Sequence, residues 1–124
     1  MHSLWLVAIG GALGAVARML LAAAIQAAWP SRLPWGTIIV NLTGCLVLGL
    51  LIGTMEARPQ LPSAWRTFGA VGVLGAFTTF STFEAETLGL LQRGDAIAAL
   101  INVLLSVTAG LAAVWAGQAV ARLL

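Results

Sequence analysis

The sequence predicts an all-α membrane protein in which a single domain, residues 1–124, contains four transmembrane helices. Of its residues, 60% are hydrophobic and 8% are charged, whereas about a quarter of the residues in a soluble domain are charged. The charged side chains are those of six Arg, three Glu and one Asp. This composition excludes a soluble enzyme and a nucleic-acid-binding protein that relies on basic patches.

Four apolar stretches are long enough for a helix to cross the hydrocarbon core of a bilayer, which takes about 20 residues. They lie at 4–29, 37–55, 67–91 and 96–121. Pro30 and Pro34 separate the first two, and Asp95 is placed to cap the fourth helix. We expect the first stretch to be a membrane helix and not a cleaved signal peptide, because no Lys or Arg precedes its apolar run.

The arginines are almost evenly divided between the two predicted sides of the membrane. With four spans, both chain ends and the loop at 56–66 share one side, which carries three Arg; the other side carries two. The positive-inside rule therefore gives almost no bias. The chain could insert in both orientations and pair antiparallel with itself, or it could have a modest preference for one orientation. Glycine pairs such as Gly10–Gly14 and Gly49–Gly53 favour close helix packing in general.

The third stretch carries an unusual run at 75–87. It contains three of the four Phe, two of the three Glu and five hydroxyl residues. Such a run is a poor helix former, because hydroxyl groups compete for backbone hydrogen bonds. We therefore expect this helix to be broken in the middle of the membrane. Non-helical backbone is tolerated there only where protein buries it or it lines a cavity, and it frees carbonyl and amide groups for ions.

Phe80 and Phe83 are three residues apart and share one face of a helix. The edge of a phenyl ring is positive, so two such edges could hold a small anion weakly enough to release it. Asn41 on the second helix could donate its amide to that anion, with Thr37 one turn earlier. Ordinary core packing for the rings and a bridge between helices for Asn41 are the structural alternatives.

Other polar groups fall at predicted membrane depth. Asn102 and Ser106 are four residues apart on the fourth helix, and Glu86 lies on the same face as Thr82 and Phe83. Arg18 on the first helix could reach the headgroups, form an ion pair or serve function, because charges at this depth are costly.

The chain resembles the Fluc fluoride channels, also called CrcB proteins, over essentially its full length. Three motifs carry the resemblance: GGALGAVAR at 10–18, GTIIVNLTG at 36–44 and GAFTTFSTF at 75–83. It implies an antiparallel dual-topology homodimer in the bacterial inner membrane. Two pores along the subunit interface would export cytoplasmic fluoride passively.

The resemblance also implies roles for single residues. Phe80 and Phe83 correspond to the pore phenylalanines whose ring edges face fluoride, and Asn41 to the pore amide. Gly75 and Thr78 correspond to the positions whose backbone carbonyls, from both subunits, hold a central structural Na⁺.

The remaining correspondences concern the rest of the predicted pathway. Ser81 and Thr82 match hydroxyl positions of the broken region, Glu86 and Thr37 a carboxylate and a hydroxyl near a pore end, and Arg18 the first-helix arginine. The fourth helix departs from better-known members, which carry Tyr and His where this chain offers Asn102, Leu104 and Ser106.

The main alternative is a small dual-topology drug/proton antiporter. Such a transporter needs an exchangeable carboxylate deep in its substrate cavity, and the first helix here has no acidic residue. A non-transporting packing subunit would not require the aromatic and hydroxyl run, and no arrangement of residues indicates an enzyme. We therefore expect a fluoride channel whose partners are fluoride, lipid and a second copy of itself, and not nucleic acid.

Overall fold

The computed structural model describes residues 2–124, and within that range every regular element is helical. The elements are α1 (His2–Ala28), α2 (Trp35–Ala57), a π-helix (Arg66–Leu74), α3 (Gly75–Phe77), α4 (Phe80–Gln92) and α5 (Ala96–Leu123). Helices α1, α2 and α5 are each long and apolar enough to cross a membrane. The prediction of an all-α membrane protein is thus confirmed. The predicted third span, 67–91, consists of shorter helices, and its passage through the bilayer stays a prediction.

Helical structure stops between α3 and α4. Thr78 and Thr79 are extended, with φ/ψ of −81°/154° and −146°/116°. The Thr79 hydroxyl then accepts the backbone N–H of Thr82 at 3.3 Å and so caps the first turn of α4. The interruption falls within the run of hydroxyl residues that the sequence marks as a poor helix.

The segment before this break is a π-helix, which the sequence does not predict. The N–H of Gly75 at its end bonds to the carbonyl of Ala70, five residues earlier. π-Helical turns are rare and are often found at functional sites. The wide turn leads directly into the one turn of α3 and the extended pair Thr78–Thr79.

Glycines allow the helices to pack within the chain at very short distances. Helix α2 packs on α5 and α1, the π-helix packs on α1, and α4 packs on α5. Gly49 of α2 faces the Val114 carbonyl, and Gly117 of α5 faces the Leu46 carbonyl. Gly14 of α1 likewise faces the Val73 carbonyl of the π-helix. The glycine spacing noted in the sequence thus serves packing inside one chain, as small residues do in membrane helices.

Polar contacts hold the helix ends together. The Asp95 carboxylate accepts the Ala98 N–H at 3.2 Å, which confirms the predicted cap of α5, and it also pairs with Arg32 at 3.4 Å. At the other end of α5, Arg122 pairs with Glu56 at 3.3 Å. Both pairs lie at chain turns or helix ends, outside the apolar middle of the molecule.

The exterior of the helices is strongly apolar. Ile97, Leu111 and Trp115 of α5 are each more than 70% exposed, whereas fully buried large side chains are few. A surface of this kind is suited to lipid or to another apolar protein surface. The fold therefore agrees with a protein whose surroundings are the bilayer.

Candidate functional site

Asn41 of α2 forms hydrogen bonds with the backbone at the interruption between α3 and α4. Its Oδ1 accepts the Thr79 N–H at 2.8 Å, and its Nδ2 donates to the Thr79 carbonyl at 3.1 Å. A side-chain amide thereby pairs with an extended peptide as a neighbouring strand would, and it satisfies both backbone groups of the residue that leaves the helix. A carboxamide has two N–H groups, so one remains beyond the bond to Thr79.

A cavity of about 320 Å³ lies beside this pair. Its wall includes six of the residues singled out in the sequence, namely Asn41, Gly75, Thr78, Phe80, Phe83 and Ser106. The remaining lining includes Thr79, Cys45, Leu48 and Val107 and is largely apolar. Residues from α2, the broken segment and α5 that are far apart in the chain thus share one wall.

The two phenylalanines of this cavity are adjacent but differ in their surroundings. Their ring centroids are 5.9 Å apart, and the ring planes are tilted by 47°. Phe83 is 6% exposed, whereas Phe80 is 75% exposed. The Phe83 ring is therefore held by the chain itself, while the Phe80 ring borders whatever covers this face of the molecule.

The break also changes the hydrogen bonding of two backbone carbonyls, those of Leu74 and Gly75. In an uninterrupted helix the Thr79 N–H would bond to the Gly75 carbonyl, four residues earlier, but here it bonds to Asn41. The Leu74 carbonyl, by contrast, accepts both the N–H and the hydroxyl of Thr78 at 3.0 and 2.9 Å. The Gly75 carbonyl is thereby released at the cavity wall. Carbonyl oxygens are suitable ligands for a hard cation.

A second cavity, of about 490 Å³, lies on the other side of Thr79, which lines both. It collects Arg18 from α1, Thr37 from α2 and Thr82 from α4, among apolar neighbours. Within residues 2–124 the buried Nε of Arg18 has no hydrogen-bond partner. The first-helix arginine, the α2 hydroxyl and the hydroxyl of the broken region therefore meet at this second cavity.

Glu86 and Thr37 are in direct contact, since the Thr37 hydroxyl donates to the Glu86 carboxylate at 2.5 Å. Glu86 also lines a third, more polar cavity of about 410 Å³, together with Arg32 and Arg93. The two residues that the sequence assigns to a pore end are thus joined. Ser81 is exposed and lines none of these three cavities.

Asn102 lies behind the first cavity and does not line it. It is 0% exposed, its Nδ2 donates to the Thr87 hydroxyl at 2.9 Å, and its Oδ1 accepts the Ser106 hydroxyl at 3.4 Å. The Thr87 hydroxyl in turn donates to the Phe83 carbonyl at 2.7 Å. A continuous hydrogen-bonded chain therefore joins Ser106 on α5 to the backbone of Phe83 on α4.

Sequence reasoning missed Thr79, which lines the first two cavities, and Thr87, which bonds to the Phe83 backbone. A signal existed for Thr79, because Thr is a favoured residue immediately before a helix and α4 begins at Phe80. No local signal existed for Thr87, whose partner Asn102 lies on another helix. Its role depends on the packing of α4 against α5.

Known proteins are similar to this chain over almost its whole length. The alignments with three of the curated relatives each span nearly all of this chain and of the relative. A protein of Magnetococcus marinus named fluoride-specific ion channel FluC is 48% identical over 95% of this chain and 96% of the relative. Another FluC, from Solibacter usitatus, is 45% identical over 94% and 96%. The protein named FluC 2 of Symbiobacterium thermophilum is 47% identical over 93% and 94%.

The match to a family extends over most of the molecule. Residues 5–118 match the family described as CrcB-like protein, Camphor Resistance (CrcB). This range includes all the cavity-lining residues and the whole of the broken segment. The chain belongs to the CrcB-like family.

Proposed function

We propose that this protein is a fluoride-specific ion channel, a multi-pass protein of the bacterial inner membrane. Its family and the names of its near-full-length relatives support this function. The structural observation that carries it is the meeting of Asn41, Phe80 and Phe83 at one cavity beside an interrupted helix. The family is one of channels, so the chain is not an enzyme, and the antiporter alternative is not favoured.

Fluoride is stabilised in this cavity by weak groups and not by a cationic side chain, since no Arg, Lys or His is among the residues described on its wall. Ring edges and amide N–H groups carry partial positive charge, which attracts an anion without trapping it. We assign this role to the second N–H of Asn41 and to the ring edges of Phe80 and Phe83, three residues that line the cavity. A dehydrated fluoride ion therefore finds a shallow resting place from which it can leave.

Export by such a pore is passive. Fluoride enters cells from acidic surroundings as neutral HF, ionises near neutral pH and is then trapped as the anion. A membrane potential that is negative inside drives the anion outward, with about 2.3 kcal/mol per charge for each 100 mV. Transport in this direction requires neither coupled proton movement nor nucleotide hydrolysis.

The functional unit in this proposal is an antiparallel dual-topology homodimer with two pores. Phe80 is 75% exposed on a single chain, so a second copy that covers this face would complete the cavity wall. The near-even division of Arg between the two sides, three against two, supports insertion in both orientations. In this arrangement the segment 66–92 crosses the bilayer as the third span, and its break at Thr78–Thr79 lies at membrane depth.

A central Na⁺ at the subunit interface belongs to the same proposal. The proposed donors are the backbone carbonyls of Gly75 and Thr78, two residues that line the first cavity. They fit a cation because the Thr79 N–H is diverted to Asn41, which releases the Gly75 carbonyl from its helical bond. The ion would supply a fixed positive charge that holds the two broken helices together, with two carbonyls from each copy.

The remaining predicted residues have places along the two further cavities. We assign Arg18, Thr37 and Thr82 to the wall of the second cavity and Glu86 to the end of the pathway, where Thr37 fixes its carboxylate. Ser81 lies in the first turn of α4 and is exposed on one chain, as Phe80 is. A second copy would bring it to the interface.

Fluoride efflux from liposomes tests the function. Vesicles that contain the purified protein are loaded with fluoride or with chloride, and a potassium ionophore balances the charge. An ion-selective electrode then records release. We expect rapid fluoride release that requires the ionophore, together with retention of chloride. Equal release of both halides, or release of neither, would reject the proposal.

A further inference from the structure

We infer that Asn102 is a positioning residue for fluoride permeation, which acts through Phe83 and Ser106 and does not touch the ion. The inference rests on the proposed function and deepens it. It follows from the buried hydrogen-bonded chain that links α5 to α4 behind the first cavity.

The burial of Asn102 sets it apart from the pore-lining groups. Its exposure is 0%, and it is one of the four largest fully buried side chains in the part of the chain described. A buried carboxamide must find partners for its oxygen and its nitrogen, because an unpaired buried polar group costs about 1–3 kcal/mol. Asn102 finds them on two different helices, in Thr87 and Ser106.

The first branch fixes the turn that carries Phe83. Asn102 Nδ2 donates to the Thr87 hydroxyl at 2.9 Å, and that hydroxyl donates its single hydrogen to the Phe83 carbonyl at 2.7 Å. Both distances are those of good hydrogen bonds. Because a carbonyl can only accept, the Thr87 hydroxyl donates to Phe83 and accepts from Asn102, and α5 is thereby tied to the helical turn that carries Phe83.

The second branch controls the hydroxyl of Ser106. Ser106 is the one residue of α5 with a polar side chain on the wall of the first cavity as described, where its neighbour is Val107. Its only hydroxyl hydrogen points to Asn102 Oδ1 at 3.4 Å, a long and therefore weak bond. Without an ion the serine thus presents oxygen lone pairs to the cavity.

An arriving fluoride ion changes this balance. A charged acceptor forms a stronger hydrogen bond than a neutral amide oxygen. The Ser106 hydroxyl can rotate towards the ion at little cost, because the bond it gives up is weak. When the ion leaves, the Ser106 hydroxyl rotates back and again donates to Asn102 Oδ1. Asn102 itself stays fixed by its shorter bond to Thr87. Asn102 therefore both positions Phe83 and accepts the Ser106 hydrogen bond when no ion is present.

Four variants test the first branch in the liposome efflux assay. Asn102→Leu and Thr87→Val each remove the bond between α4 and α5 at nearly constant volume, and Thr87→Ser keeps it. Thr108→Val, which changes an exposed hydroxyl of α5, is the matched control. We expect Asn102→Leu and Thr87→Val each to slow fluoride efflux about tenfold, the scale of one lost hydrogen bond. Thr87→Ser and Thr108→Val should conduct like the parent protein.

The double variant Asn102→Leu/Thr87→Val distinguishes positioning from two independent effects. If the residues act through one bond, its efflux will be no slower than that of the slower single variant. Multiplied losses, wild-type efflux in Asn102→Leu, or loss in Thr87→Ser equal to that in Thr87→Val would each overturn the inference. If Asn102→Leu does not fold, the comparison of Thr87→Val with Thr87→Ser still decides the matter.

Ser106→Ala tests the second branch separately. It should slow fluoride efflux while leaving the thermal unfolding temperature close to that of the parent, because only the weak 3.4 Å bond is lost. Full efflux in Ser106→Ala would overturn this branch. Absence of fluoride efflux from the parent protein is a different result, which would reject the proposed function.

Discussion

Phe80 and Phe83 have the same side chain but different physical tasks. Phe83 is held within the chain at 6% exposure, and the hydrogen bond from Thr87 fixes its carbonyl. Phe80 is 75% exposed and depends on its surroundings for cover. Since only the ring edge attracts an anion, the orientation of both rings matters more than their apolar volume.

Replacement of either ring by isoleucine tests this view. Phe80→Ile and Phe83→Ile keep a large apolar side chain but remove the positive edge. We therefore expect fluoride efflux to fall about tenfold or more, which corresponds to a permeation barrier raised by about 1.4 kcal/mol. Phe68→Ile, outside all three cavities, is the control. Size-exclusion chromatography checks assembly. Unchanged efflux in both pore variants would mean that the rings only pack.

In the proposed channel, Asn41 combines a structural and a conducting role in one side chain. The two interpretations left open by the sequence, a bridge and a donor, are compatible, because the bond to the Thr79 carbonyl uses only one of its two N–H groups. The bridge itself joins Asn41 to backbone and not to a second side chain. The sequence could indicate a polar residue on α2, but not that its partner is the peptide at the break.

Substitution of Asn41 separates these roles. Asn41→Leu leaves the Thr79 N–H without its partner and removes one bond to the Thr79 carbonyl, so we expect the free energy of unfolding in detergent to fall by about 1–3 kcal/mol and fluoride efflux to stop. Asn41→Asp keeps an acceptor for the Thr79 N–H but brings a negative charge to the cavity. It should therefore lose efflux with a smaller loss of stability. Equal stability of Asn41→Leu and the parent would contradict the bridge.

At the scale of elements, hydropathy is enough to predict α1, α2 and α5 to within a few residues. It detects them because each is a continuous apolar helix. The run of hydroxyl and aromatic residues also predicts an interruption, which the structure has at Thr78–Thr79. The π-helix at Arg66–Leu74 could not be predicted, since no local residue pattern marks it; in the fold its backbone packs closely against Gly10 and Gly14 of α1.

Two glycine-to-alanine substitutions in α1 test its close packing on the π-helix. A Cβ at Gly14 would collide with the Val73 backbone carbonyl, whereas a Cβ at Gly11 meets nothing within 4 Å. We expect Gly14→Ala to lower the thermal unfolding temperature and to slow fluoride efflux by displacing the π-helix. Gly11→Ala should be neutral or stabilise by up to about 1 kcal/mol, because alanine is the better helix former. Equal behaviour of the two variants would contradict this packing.

At the scale of the whole molecule, the chain has an apolar exterior and a cavity bordered by the exposed ring of Phe80. Its charges lie mainly near the ends of the helices, where Arg32 pairs with Asp95 and Arg122 pairs with Glu56. Composition predicts the membrane setting, because so few charges cannot maintain a soluble surface. Hydropathy does not predict what covers Phe80, because such a contact requires a second surface.

Site-directed labelling tests whether the chain inserts in both orientations. Ser63 lies exposed in the loop between α2 and the π-helix, and Ser63→Cys in a Cys45→Ala background provides one accessible thiol. With a membrane-impermeant thiol reagent, we expect about half of the protein to react in intact cells and the remainder only in inverted vesicles, because the Arg distribution gives almost no bias. Complete reaction from a single side would contradict dual topology.

The reversal potential of the current in a planar bilayer is the most direct test of the whole account. The purified protein is placed between solutions with a fluoride gradient and an opposing chloride gradient, so that the two equilibrium potentials have opposite sign. We expect the current to reverse at the fluoride equilibrium potential and to be insensitive to chloride. Reversal at the chloride potential, or no current above that of the protein-free bilayer, would contradict the account.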